Sequence, residues 1–357
     1  MLAPEDFRDI HRQARGDGDL LTLPPAAKAQ HGLAHSTSSS NVAPKASWFA
    51  SANTAVQDIE MTLEEQLVFN LCNPELRGNA LVELSKKRET LNNLAPLLWY
   101  SFGTIAAVLQ EIVSVYPALS PPTLLASAAN RACNALALLQ TLAAHPETRT
   151  PFLEAGIPLY LFPFLKTTSE AKSFKYLRVT SLGVLGALAK VDDTEVVKFL
   201  LENEVIPLCL RIMGTGSELS KTVATFIVQK IMLNEVGLQH ICATPECFFE
   251  AANVLANMVV ALAEQPSTRL LKHVIHCYIR LTDDRRACAG LRTHLPEALR
   301  NGTFDNCLRD DPAAKHVLQK LLDELVGPAG GAPHPGPGPE AGGSHGGPAQ
   351  AGPSHTP

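Results

Sequence analysis

Few residues of this chain stand at spacings that could do chemistry. His273, His276 and Cys277 fall within five residues in HVIHC and carry the donor types of a transition-metal site. Zinc needs three or four fixed ligands in tetrahedral array, and no second ligand pair at metal spacing accompanies these three, so a helix face explains them better. Cys242 and Cys247 flank Pro245 without Cys-x-x-Cys spacing and are read the same way. Gly214-Thr215-Gly216 looks like a fragment of a phosphate-binding loop, yet it follows an amphipathic helix and lacks the later glycine and lysine. It reads as a helix cap. His145-Pro146-Glu147 falls in an interhelical turn, and no Gly-x-Ser-x-Gly elbow occurs. Ser85-Lys86-Lys87-Arg88 and Arg285-Arg286 read as solvated helix ends before nucleic-acid sites. No catalytic set, metal set or cofactor loop emerges. The chain reads as a binding module rather than an enzyme, with no cofactor.

The bulk properties agree. A net charge of −5 with pI near 6.2 gives no global basic signature for nucleic acid. No apolar run approaches the roughly 20 residues of a membrane span, and the start MLAPEDFRDIHRQARGDGD is too charged for a secretory signal. The eight cysteines stand singly in mostly apolar surroundings, which favours free thiols and a reducing compartment. At 357 residues and 46% hydrophobic content, the core is ample. Abundant Leu and Ala with only 6% aromatics favour closely packed helices.

Composition divides the chain in three. Residues 1–58, including HSTSSSNVAPKASWFASANT, lack sustained periodicity and read as mostly disordered, with a short helix around Pro4 to Arg15. Residues 327–357, dominated by Gly, Pro, Ala and Ser, read as a disordered tail. Residues 59–326 are dense in Leu, Ala, Val and Ile at helical spacing, and they repeat. NALALLQTLAAHPETRTPFLEAGIPLYLFPFL (from Asn134) and SLGVLGALAKVDDTEVVKFLLENEVIPLCLRIM (from Ser181) share a small-residue helix, a polar turn, a further helix and an Ile-Pro-Leu start to the next. Further copies begin near Val223 and His273. Spacings of roughly 40 to 55 residues fit armadillo or HEAT units. The expected fold is all-α, an armadillo solenoid of about six helical repeats. Pro158 and Pro207 then occupy first turns of helices.

GSELSKTVATFIVQKI (Gly216 to Ile231) raises a question of its own. Ser217 suits a helix cap, and the apolar positions Leu219, Val223, Ala224, Phe226, Ile227, Val228 and Ile231 cover an arc of roughly 200°, twice what one-sided packing needs. In a solenoid each internal helix packs on the repeats before and after it. Part of the arc is also free to line a concave groove.

Several long segments, among them NALVELSKKRE, LAPLLWYSFGTIAAVLQEIVSVYP, NRACNALALLQTLAAHPETR, YLRVTSLGVLGALAK and GSELSKTVATFIVQKI, closely resemble the Rcd/Caf-type "required for cell differentiation" family, the armadillo-repeat subunit of the CCR-NOT deadenylase complex. The similarity spans about Met61 to Lys320 and leaves out both tails. It implies a non-enzymatic adaptor that docks on the Not scaffold subunit and recruits regulators of mRNA decay and translational repression. It implies a cytoplasmic location, P-bodies included, with a nuclear pool, and it allows a homodimer.

By that resemblance the scaffold contact falls on Tyr100, Phe102, Ala106 and Val113, with Tyr100 replacing the family's usual His. Trp99-Tyr100-Ser101-Phe102 is unusually aromatic for this chain, although Trp99 alone would suit a core. The concave groove, which takes short amphipathic helices, falls on Tyr176, Gly183, Thr222 and Val223. Val223 is expected to face the groove rather than the core, and Gly183 to let a ligand helix approach. The family's pockets for tryptophans of Gly-Trp-rich silencing proteins fall where Pro245 and Cys247 replace the usual Tyr and Arg, while Arg286 is kept. Weakened or absent tryptophan binding is expected there. Two other readings stand beside the adaptor. One is weak nucleic-acid binding through Arg131, Arg178 and Lys221 on the concave face; the other is a diverged paralogue without scaffold docking.

Overall fold

A computed structural model describes residues 61–326 of the chain. The expectations for residues 1–58 and 327–357 lie outside the described residues.

Residues suited to starting helices punctuate the sequence, and most of them cap the helix that comes next. Thr62 and Glu65 form a reciprocal capping box for α1 (Leu63–Asn70). Asn73 caps α2 (Pro74–Lys87), and His145 caps α6 (Pro146–Glu154) by accepting from the Glu147 amide. Between them lie α3 (Leu94–Tyr100), α4 (Thr104–Val113) and α5 (Ala126–Ala144). Beyond come α7 (Phe162–Leu165), α8 (Lys172–Ala189), α9 (Thr194–Glu202), α10 (Val205–Thr215) and α11 (Glu218–Leu233). The chain continues through α12 (Glu235–Ile241), α13 (Pro245–Glu264), α14 (Thr268–Leu281), α15 (Arg285–His294) and α16 (Pro312–Val326). Ser217 accepts from the Ser220 amide and starts α11 as the sequence suggests. Gly216 closes α10, where an added Cβ would stand 2.7 Å from the Ile212 carbonyl oxygen.

Six of these helices stack in succession: α2 on α5, α5 on α8, α8 on α11, α11 on α14, and α14 on α16. Each is the last helix of one repeat, so the six expected units are present, with the remaining helices completing them. A ladder helix packs against both neighbours and its own repeat, which explains its wide apolar arc. In α8, fourteen of eighteen residues are buried. Short polar residues inside the ladder bond locally: the Thr180, Thr222 and Thr225 hydroxyls donate to carbonyls four residues back.

Two local expectations need correction. Pro207 does sit in the first turn of α10, but Ile157–Leu161 around Pro158 is a 3-10 turn followed by the single turn of α7. Pro158 and Pro163 remove two amide donors from so short a segment, and a full α-helix cannot be completed. The second correction concerns membrane spans. Among the described residues α13, at 20 residues and mean hydropathy 1.4, is long and apolar enough to cross a membrane by length and composition. Its face from Phe248 through Ala252, Leu255 and Val259 to Leu262 is buried against neighbouring helices, as in other repeat helices.

Candidate functional site

The segment between α3 and α4 makes the most distinctive surface. The two helices meet at 92° across Ser101-Phe102-Gly103. Gly103 adopts φ 78°, the left-handed region where a side chain is strained. The corner throws Phe102 outward with its whole ring in water, 101% exposed. Tyr100, Ala106 and Val113 are exposed too, so all four expected scaffold-contact residues lie on the surface. Phe102 and Ala106 line one cavity of about 870 Å³, while Tyr100 and Val113 lie outside its lining. Trp99 is half-buried against the core. Desolvation, then the charge and hydrogen bond of Glu147, raise the Tyr100 phenol above its ordinary pKa. Sequence reading missed Met61 and Phe69, which line the same cavity and are largely exposed. The available signal was that Phe69 falls off the buried Leu67–Val68–Leu71 stripe of α1.

The four groove residues do not form an open surface patch. Tyr176 is half-buried, but Thr222 and Val223 are 2% and 0% exposed, and Val223 belongs to the hydrophobic core. The expectation that Val223 faces the groove rather than the core is therefore corrected. On a helix packed from both sides, the middle of the apolar arc points inward. Gly183 is also buried, and its near neighbour is Gln140 of α5. A Cβ there would meet the Gln140 side chain at 3.6 to 3.8 Å, an ordinary contact, so the chain's own packing does not demand glycine.

At the expected tryptophan pocket a small cavity of about 180 Å³ remains, lined by Pro245 and Arg286 but not by Cys247. Arg286 Nη2 donates to the Cys242 carbonyl at 2.9 Å, which commits part of its guanidinium. The rings come instead from Phe248 and Phe249, 5.0 Å apart, with His294 edge-on to Phe249 at 5.2 Å. The Phe-Phe dipeptide was the overlooked signal.

Of the basic trio expected for nucleic acid, Arg178 is not on the surface, a further correction. Arg178 is buried and donates to the Thr167 and Ser169 carbonyls, pinning the loop before α8. Arg131 forms a two-point pair with Glu111 at 2.9 and 2.7 Å. Lys221 lines a cavity of about 390 Å³ beside Glu218.

His273 and Cys277, which first suggested chemistry, are packed in the core. Nδ1 of His273 and Oε1 of Gln229 lie 2.7 Å apart across the α11–α14 contact. Burial first, then the nearby His276, Arg269 and Lys272, hold its pKa down at about 3. Burial drives the Cys277 thiol far up and Cys209 to about 12, so neither is a ready nucleophile. No group of three or more His, Cys, Asp or Glu comes together among the described residues, and all eight cysteines are free.

A family model described as "Cell differentiation family, Rcd1-like" matches residues 67–325. The chain is 55% identical over 273 residues to the cell differentiation protein rcd1 of Schizosaccharomyces pombe, covering 76% of this chain and 96% of that one. It is 56% identical over 247 residues to protein CAF40 of Saccharomyces cerevisiae, covering 69% and 66% respectively. Among solved structures, a designed armadillo repeat protein in complex with the peptide (KR)4 matches with TM-score 0.52 at 15% identity, covering 74% of this chain and 100% of the other. A second designed armadillo protein gives 0.54 at 18%, covering 73% and 99%. At such identities the likeness is one of fold alone.

Proposed function

This chain belongs to the Rcd1-like cell differentiation family, and on that premise we propose that it is a non-enzymatic adaptor subunit of the CCR-NOT deadenylase complex. It docks on the Not scaffold through the Phe102 surface and recruits regulators of mRNA decay and translational repression along its concave side. The observation that carries the reading is Phe102. A phenylalanine held wholly in water, beside exposed Phe69 and a cavity of about 870 Å³, fits a covered interface far better than a free surface. The docking surface is Tyr100, Phe102, Ala106 and Val113, with Met61 and Phe69 added. The groove takes short amphipathic helices between Tyr176 and Lys221, with Thr222 and Val223 forming its backing. Tryptophan-bearing silencing proteins bind weakly, since the cavity at Pro245 is small and Arg286 is engaged. The adaptor works in the cytoplasm, P-bodies included, and in the nucleus.

Nucleic acid is the second reading. It is the weaker one, because Arg178 is buried against its own loop and Glu111 offsets the charge of Arg131. The deciding experiment is co-purification of the chain with the helical docking segment of the Not scaffold, using Phe102→Ala with Ala106→Tyr as the control. A stable complex lost in the control supports the adaptor. No complex from a folded chain overturns scaffold docking and leaves a diverged paralogue. RNA retention falling steeply with salt would favour the second reading.

A further inference from the structure

Next to the Phe102 cavity lies a smaller one of about 330 Å³, between α2, α4 and α5. Arg77 and Gln110 line both. Its charged lining consists of Arg77, Arg131 and Glu111, two cations to one carboxylate. Arg77 is held rigidly: Nε donates to the Leu71 carbonyl at 2.7 Å, and Nη1 to Gln110 at 2.8 Å and Glu111 at 3.2 Å. Its side chain is only 9% exposed. Arg131 grips Glu111 from the other side through Nε and Nη2. Nη2 of Arg77 and Nη1 of Arg131 have no partner among the described residues, and one positive charge is left over.

The Arg77 side chain is 9% exposed and that of Arg131 48%, so the leftover positive charge is open to an incoming anion, and the planar fork of arginine suits a carboxylate. We propose that this cavity is a carboxylate site: Arg77 and Arg131, fixed on either side of Glu111, receive the acidic side chain of a peptide segment whose apolar residue enters the adjoining Phe102 cavity. A single excess charge matches a carboxylate, whereas Glu111 at the centre repels a phosphate dianion. The shared wall of Arg77 and Gln110 places the acidic and apolar anchors within one short segment. The identity of that segment rests on the docking proposed above; the carboxylate site itself does not.

The full chain is titrated with N-acetyl-glutamate α-amide, following the side-chain Nε–H signals of Arg77 and Arg131 by NMR. Saturable shifts are expected with this probe and not with the neutral N-acetyl-glutamine amide. Arg131→Gln should abolish the Arg77 shift, and Arg131→Lys, which keeps the charge and checks folding, should retain part of it. Equal responses to both probes, or shifts that never saturate, overturn the site. In a second arm, the Not scaffold's docking segment should bind Arg131→Gln about tenfold more weakly, with a shallower salt dependence. If the segment binds wild type and Arg131→Gln equally, the acidic anchor is refuted. If it does not bind wild type at all, the docking reading falls while the glutamate titration still decides the site.

Discussion

Replacing Val223 with glutamate gives the sharpest test of where the α11 core ends. The valine has no exposed surface. Losing its burial costs about 1.5–3 kcal/mol. A carboxyl in its place must shed its charge or draw water into the ladder, which adds about 2–4 kcal/mol. The total of about 3.5–7 kcal/mol reaches the exceptional range for one substitution. In a domain of this size, each kcal/mol lowers Tm by about 2–4 °C, so a loss of about 7–28 °C is expected. Circular dichroism melts of wild type, Val223→Glu and Val223→Ala check it, with the alanine costing about 2–3 kcal/mol through its small cavity. A glutamate variant melting within about 2 °C of wild type would refute the reasoning. It would place the side chain in the groove, with α11 rotated from the position described.

The geometry leads to three further expected outcomes. Phe102→Ala should leave Tm within about 1 °C, since the ring contributes nothing to the core; a larger drop means the corner packs on something. His273 is neutral in the fold, with its pKa lowered to about 3, while the unfolded chain takes up that proton near pH 6.5. Stability should therefore fall as pH drops from about 6.5 toward 3, by about 2 kcal/mol at pH 5. Urea midpoints should show that slope in wild type and a flatter one in His273→Gln; equal slopes would assign the proton elsewhere. Gly237→Ala would place a Cβ 2.0 Å from the Ile231 carbonyl oxygen, so α12 must move and about 3 kcal/mol or more should be lost; an unchanged urea midpoint would contradict that contact.

The ladder was legible because each of its helices repeats the same small and branched apolar pattern at helical spacing, and the polar turns between them carry cap residues such as Ser217. The exposed corner was half legible: Trp99 to Phe102 stood out by composition, but only the 92° bend decides that Trp99 turns in and Phe102 out. Val223 was not legible for a physical reason. On a helix enclosed by two neighbours, apolar positions facing the core and apolar positions facing a groove carry the same residue types. Arg178 misled in a similar way. A guanidinium aimed at the carbonyls of its own loop, here Thr167 and Ser169, looks in sequence like one aimed at a phosphate.

The uncovered ring of Phe102, with Phe69 and Met61 about the same hollow, bears on how much of this protein a cell can keep. Molecules made in excess of their partner carry an adhesive face that quality-control factors recognise and that other copies can stick to. The steady amount of the chain should then follow the supply of whatever covers that face, rising when the partner is abundant and falling by turnover when it is scarce. A surface built for assembly thus also serves as a gauge of stoichiometry.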